Sequence, residues 1–309
     1  MAGHDMEEQM DKEQQLEIKG GILHYQATED EVYIILGQAT ESQVVIPDEI
    51  EGLPVTKIEK KAFLSSKQLK QIFLPRGLKY IGDWAFAHCS QLESVWLPKR
   101  DLSIGRGIFK ECEKLFTICH LDDDSIRARQ AGRLLGAVPI QLEADYLFVP
   151  EEAGEDAWLF RFDEKLKEFL AVPDEEGYTK MVYCGEEDIV ANMDLYLAER
   201  RRAKARLCFL RLMNDVGLSD QLRENLSFYL SSHTKGCDSE AAWEVVFYEH
   251  GNEQDYYEAF TQAGCLTEDN YDSILAQMKD QYPEMKGYLM RYKSQDMDES
   301  DFFELLSLD

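Results

Sequence analysis

The chain has 309 residues, 44% of them hydrophobic, which is enough for two domains with cores of their own. Sixty Asp and Glu against 33 Lys and Arg leave a net charge of −27. That charge excludes nucleic acid and anionic membrane surfaces as partners, because both are held through Lys and Arg, and no apolar run reaches the roughly eighteen residues of a membrane-spanning helix.

Residues 1–20, MAGHDMEEQMDKEQQLEIKG, lack the basic head and apolar stretch of a signal peptide. They read as a polar tail or a frayed helix, and the expected location is cytoplasmic. The seven cysteines are scattered without a framework spacing, so all are expected to be reduced.

Residues 21–136 carry an internal repeat. Phe63, Phe86 and Phe109 are spaced by 23, as are Ile58, Ile81 and Ile104, and Leu69, Leu92 and Leu115. Pro47, Pro75 and Pro98 follow at 28 and 23, so the first unit holds a five-residue insertion near EGLPV. A period of 23 falls in the leucine-rich window of roughly 20–29 residues. One such unit cannot bury its apolar edge alone, and stacked units bury one another's. In LKQIFLP, strand alternation turns Leu69, Ile72 and Leu74 inward and Gln71 and Phe73 outward. Pro75 ends the strand, having no N–H for a ladder. IGDWAF adds a second inward set, Ile81, Ala85 and Phe86.

The unit, seen at Val45-Ile46-Pro47, Ile81-Gly82, Ala85-Phe86, Cys89, Leu92, Leu97-Pro98, Ile104-Gly105, Phe109 and Cys112, resembles the BspA-type leucine-rich repeat of bacterial proteins. The resemblance runs from about Leu23 to His120 and covers about three full units with partial ends. It implies a short parallel β-solenoid whose surface binds proteins. A cysteine is missing from the column near Ser65-Ser66, and between Leu115 and Gly136 no further AF or LP follows.

After LDDDSIRARQAGRLLGAVPIQ, read as a turn, a short helix over 124–135 and a Gly-Ala-Val-Pro exit, a domain boundary is placed at Gly136. The helix would cap the open end of the stack. Residues 137–309 read as an acidic, mainly helical domain. Trp158, Phe162, Leu166, Phe169 and Leu170 form one helical stripe that ends before Pro173. A long helix is expected over 191–216 with Gly217 as its stop, and Ser219 caps the next. SEAAWEVVFYEHG, NEQDYYEAFTQAG and TEDNYDSILAQMKDQYP follow, then PEMKGYLMRYK with Pro283 in its first turn, then ESDFFELLSL. The stretch from Ala259 to Lys293 is similar to degenerate ankyrin-like repeats, without their TPLH turn; ankyrin- or HEAT-like helix pairs follow from the lengths. Residues 237–309 hold eighteen acids against four bases.

Three patterns bear on chemistry. His88-Cys89, Cys119-His120 and the pair His233 and Cys237 set sulfur near imidazole, yet no C-x-x-C or H-x-x-x-H spacing occurs, and no metal or cofactor is expected. His250, Glu253 and Cys265 would need to converge to form a nucleophile and base. No phosphate loop or nucleophile elbow is present, and the expectation is that the protein is not an enzyme. The basic run ERRRAKAR, Glu199–Arg206, is read as pairing with acidic residues or forming a solvated face.

One surface stands out. Aligning the strands by their prolines sets Val45, Phe73, Trp96 and Cys119 in one outward column, beside Gln43, Gln71, Ser94 and Thr117. Val45, Gln71, Phe73, Ser94 and Trp96 are the candidate contacts to an unidentified protein partner, since exposed aromatics anchor interfaces. The expected function is non-catalytic protein binding or scaffolding. An enzyme module with a site between domains and a self-assembling structural protein are the two alternatives.

Overall fold

The computed structural model describes residues 13–178 and 192–297. They form two compact units that divide between Lys167 and Glu168. The expected terminal helix ESDFFELLSL lies outside the described residues, as do residues 1–12 of the N-terminal segment.

The first unit is a β-solenoid. A four-stranded parallel sheet has the order β11-β9-β7-β4, formed by Gln43–Val45 (β4), Gln71–Phe73 (β7), Ser94–Leu97 (β9) and Thr117–His120 (β11). A second sheet runs β1-β2-β3-β6-β8-β10 through Gln14–Ile18, Gly21–Ala27, Val32–Ala39, Leu53–Ile58, Tyr80–Ile81 and Ser103–Ile104, with Glu49–Ile50 (β5) paired to β6. Inward residues of the turns, among them Ile72, Val95, Ile118, Ile58 and Ile81, are fully buried.

The sequence period has a backbone cause as well as a packing one. Lys61, Trp84 and Gly107 have φ of +59°, +54° and +57°, and Ser65, His88 and Glu111 have +59°, +59° and +58°. Each A-F turn therefore enters and leaves through a left-handed residue. Between them Phe63, Phe86 and Phe109 stack in the core, 5.4 and 5.7 Å between centroids. The Cys89 and Cys112 thiols donate to the carbonyls of Phe63 and Phe86, at 3.2 and 3.1 Å. This is why the cysteine column recurs: a small donor meets the carbonyl of the preceding turn.

Three features of the first unit differ from the sequence expectation. Gln14–Ile18 is a strand, not a tail or helix, paired antiparallel with β2 across Lys19-Gly20. Gly20 makes this possible at φ +87°, where a Cβ would lie 1.8 Å from the Gln43 carbonyl oxygen. The short helix is longer than 124–135: α1 spans Ile126–Ile140, capped by the Ser125 hydroxyl, which accepts from the Ala128 N–H. Pro139 lies near its C-terminal end, where a missing N–H forfeits one late bond. The boundary expected at Gly136 falls inside this helix. Gly132 and Gly136 press α1 against β11; a Cβ on Gly132 would lie 2.0 Å from the Ile118 oxygen. The helix thus covers the last strand, and the chain continues in the same unit through Trp158, whose indole donates to the Leu147 carbonyl at 2.9 Å.

The second unit is helical. α2 (Asp156–Ala171) crosses the division, and Trp158, Phe162 and Leu166 of its stripe are buried. α3 spans Met193–Met213 and ends before the expected Val216, because the Asn214 side chain takes the Leu210 carbonyl at 2.7 Å. Ser219 caps α4 (Asp220–Ser232), its hydroxyl accepting from the Leu222 N–H. The SEAAWEVVFYEHG segment is one α-turn, Ala241–Glu244 (α5), continued as a π-turn over Val245–Glu249. Gln254–Gln262 (α6), Glu268–Met278 (α7) and Pro283–Tyr292 (α8) complete the unit, with Thr267 and Asn270 forming a capping box on α7. No helix of the described residues is long and apolar enough to cross a membrane.

The basic run is tied down within this unit. Asp174 takes Arg201 at 2.9 Å and Lys204 at 2.7 Å, while Glu199 and Glu249 take Arg206 at 2.6 Å each. Arg202 meets Glu244 at 3.2 Å, and the Arg200 guanidinium lies 4.3 Å over the Phe169 ring. Burial works to raise the Asp174 carboxyl, and the hydrogen bonds of Lys204 and Arg201 outweigh it, holding it below its ordinary value.

Candidate protein-binding face on the four-stranded sheet

Parallel strands set equivalent residues side by side. The register is Val45 beside Phe73, Phe73 beside Trp96, and Trp96 beside Cys119. All four are half-buried. The Phe73 and Trp96 rings stack with 5.2 Å between centroids and 10° between planes. Each ring is partly open to solvent and held by the other, so the pair is preordered for a contact.

The flanking column is less uniform. Gln71 is exposed, and Gln43 and Thr117 are half-buried, but Ser94 is buried. Its side chain faces outward as expected, yet it is too short to clear Gln71 and Thr117, its neighbours in register on either side. Ser94 is therefore corrected from a contact residue to a recessed one. A small outward residue between two longer ones on adjacent strands is the signal that sequence reading overlooked.

The neighbouring column points in and contains an exception. Ile46, Leu74, Leu97 and His120 occupy one inward position in successive turns. His120 is 3% exposed, and neither ring nitrogen has a hydrogen-bond partner among the described residues. Burial holds the imidazole below its ordinary pKa; Lys99 adds to this, and Asp123 opposes it. Cys119 and His120 are consecutive in a strand and face opposite ways, so they do not converge on a metal.

The remaining chemical candidates take structural places. His88 pairs with Glu111 at 2.6 Å on the surface. His233 stacks on Tyr229, with Nδ1 2.8 Å from the Tyr229 carbonyl oxygen. His250 lies 2.9 Å from Glu253 and stacks on Tyr256 at 3.6 Å. Cys265 is fully buried, which pushes its thiol up, away from a nucleophilic thiolate. Among the described residues, no group of three or more His, Cys, Asp and Glu is gathered for a metal.

A parallel β-solenoid with inward Leu, Ile and Phe columns and a solvent-facing sheet defines the leucine-rich repeat class. Residues 42–124 match the BspA type leucine rich repeat region, in six copies. A solved leucine-rich repeat protein from Bacteroides capillosus ATCC 29799 is similar at 23% identity, covering 33% of this chain and 78% of that one, with a TM-score of 0.29. The T. pallidum leucine rich repeat protein is similar at 22% identity, covering 34% and 71%, with a TM-score of 0.25. None of the curated proteins matches the chain.

Proposed function

We propose that the protein is a non-catalytic binding or scaffold protein whose four-stranded sheet docks a partner protein through Phe73 and Trp96. The stacked, half-exposed ring pair carries this reading. Rings of ~150–250 Å² each that are already more than half covered leave on the order of 100–150 Å² of apolar area for a contact to remove. At ~25 cal/mol per Å² that is about 3 kcal/mol before the costs of association, so further contacts along the sheet must share the binding. Val45 and Gln71 extend the contact along the column and beside it.

We read the helical unit as ankyrin- or HEAT-like helix pairs, supported by the shared capping at Ser219 and Thr267. The experiment is affinity capture with the whole chain, comparing wild type with Trp96→Ala. A partner retained by wild type and lost by the variant supports the reading, and one retained equally by both contradicts it.

A further inference from the structure

The aromatic pair on the four-stranded sheet has two unlike sides. Phe73 covers one face of the Trp96 ring. On the other side the neighbour in register is Cys119, whose side chain is too short to cover an indole. Beyond Cys119 the sheet ends, and α1 takes the place of a further strand, with Gly132 and Gly136 against the β11 backbone. A slot about two strand spacings wide, ~10 Å, therefore lies between Trp96 and α1. Thr117 and Cys119 form its floor.

The helical register decides what α1 presents to this slot. Ala128, Ala131, Leu135 and Val138 are buried along one side of the helix. Successive residues turn by ~100°. With the two glycines on the strand and those four turned into the core, Arg129 and Arg133 fall on the outward side of the sheet. Two contacts agree with this placement. A Cβ on Gly132 would lie 3.4 Å from the hydroxyl of Thr117, an outward residue. Arg129 holds Asp124 at 3.2 Å, and the charge of Asp124 reaches the thiol of Cys119, the next outward residue.

Asp124 neutralises Arg129. Arg133, one helical turn further on, is exposed and has no hydrogen-bond or ion-pair partner among the described residues. It stays unpaired in a chain with 60 acids and 33 Lys and Arg. The slot thus joins an open indole face to a free guanidinium. At physiological ionic strength charges are screened beyond ~8 Å, so the local cation rather than the net charge of the chain sets the preference here.

We propose that the slot takes an acidic, aromatic segment of a partner protein. An aromatic side chain of the segment packs on the open face of Trp96, and a neighbouring carboxylate pairs with Arg133. This rests on the reading of the Phe73–Trp96 face as the docking surface, and adds the chemistry of what docks there. A purely apolar segment would fill the slot and leave the guanidinium without a counter-charge.

The test uses the whole chain and two capped peptides, acetyl-Gly-Glu-Phe-Glu-Gly-amide and the same peptide with Gln for each Glu. Each is titrated at physiological salt and followed by the backbone amide resonances of Thr117 and Cys119. The Glu peptide is expected to bind about fivefold tighter than the Gln peptide, the upper range for an exposed ion pair. In Arg133→Gln the two should bind alike, with the Gln peptide unchanged from wild type, which also shows the fold to be intact. Trp96→Ala should weaken both peptides. Equal binding of the two peptides to wild type, or a Glu preference that survives Arg133→Gln, would overturn the proposal and leave the Phe73–Trp96 face standing. Binding of neither peptide would overturn the slot, with the face then judged by the capture experiment. Binding of both that is indifferent to Trp96→Ala would overturn the slot and the face together.

Discussion

Phe148 sets its ring edge-on against Phe109, 5.6 Å between centroids and 66° between planes. It ends the column begun by Phe63, Phe86 and Phe109 with a ring that belongs to no repeat. A stack of repeats must be closed by something other than a repeat, and here a segment following α1 supplies the closing ring.

The column makes Phe86 costly to remove, since it is fully buried between two other rings. Phe86→Ala is expected to cost ~3–5 kcal/mol in chemical denaturation. A loss under about 1 kcal/mol would contradict the stacked register.

His120→Leu is expected to stabilise the first unit by about 1–2 kcal/mol at neutral pH, because two unpartnered buried nitrogens are replaced by the residue type at Leu74 and Leu97. The pH dependence has a definite sign. The folded pKa lies below the unfolded one, so the unfolded chain takes up the proton first. Wild-type stability should therefore fall as pH drops below about 6.5, the unfolded value. The advantage of the variant should widen over the same range. Melting temperatures of both proteins between pH 8 and pH 5, roughly spanning that value, check this, and parallel curves would contradict it.

Asp174→Asn is expected to destabilise the second unit by ~3 kcal/mol, because it leaves the buried Lys204 ammonium with the Val172 carbonyl and no counter-charge. The carboxyl is held low in the folded state, so its contribution is present above the unfolded pKa of about 4 and is lost as pH falls below it. Urea titrations of wild type and variant at neutral pH and in acid measure this; the gap between them should close in acid.

The sequence made the solenoid legible because each turn repeats both its apolar positions and its left-handed residues, and the 23-residue period records both. Strand alternation also placed Val45, Phe73, Trp96 and Cys119 in one register, as the pairing shows. Alternation gives facing but not cover, so the recess at Ser94 depended on the lengths of Gln71 and Thr117 across the sheet. The strand at Gln14–Ile18 was hidden because its residues are mostly polar and its partner lies across a turn that only Gly20 can make. Pro139 read as a helix stop because sequence does not show that α1 is held on β11 beyond Gly136. The closing role of Phe148 is a tertiary fact, since it concerns the repeat that does not follow.

The most direct measurement is a titration of a purified partner, obtained by capture, against wild-type protein, Trp96→Ala and Tyr248→Ala, with melting curves for each. Tyr248 is an exposed aromatic of the helical unit and serves as the control. A central anchor contributes at least ~2 kcal/mol, about a thirtyfold change in Kd. The account predicts that Trp96→Ala weakens binding at least that much while its Tm stays within a few degrees of wild type, and that Tyr248→Ala binds normally. Unchanged affinity in Trp96→Ala would contradict the assignment of the Phe73–Trp96 face as the binding surface.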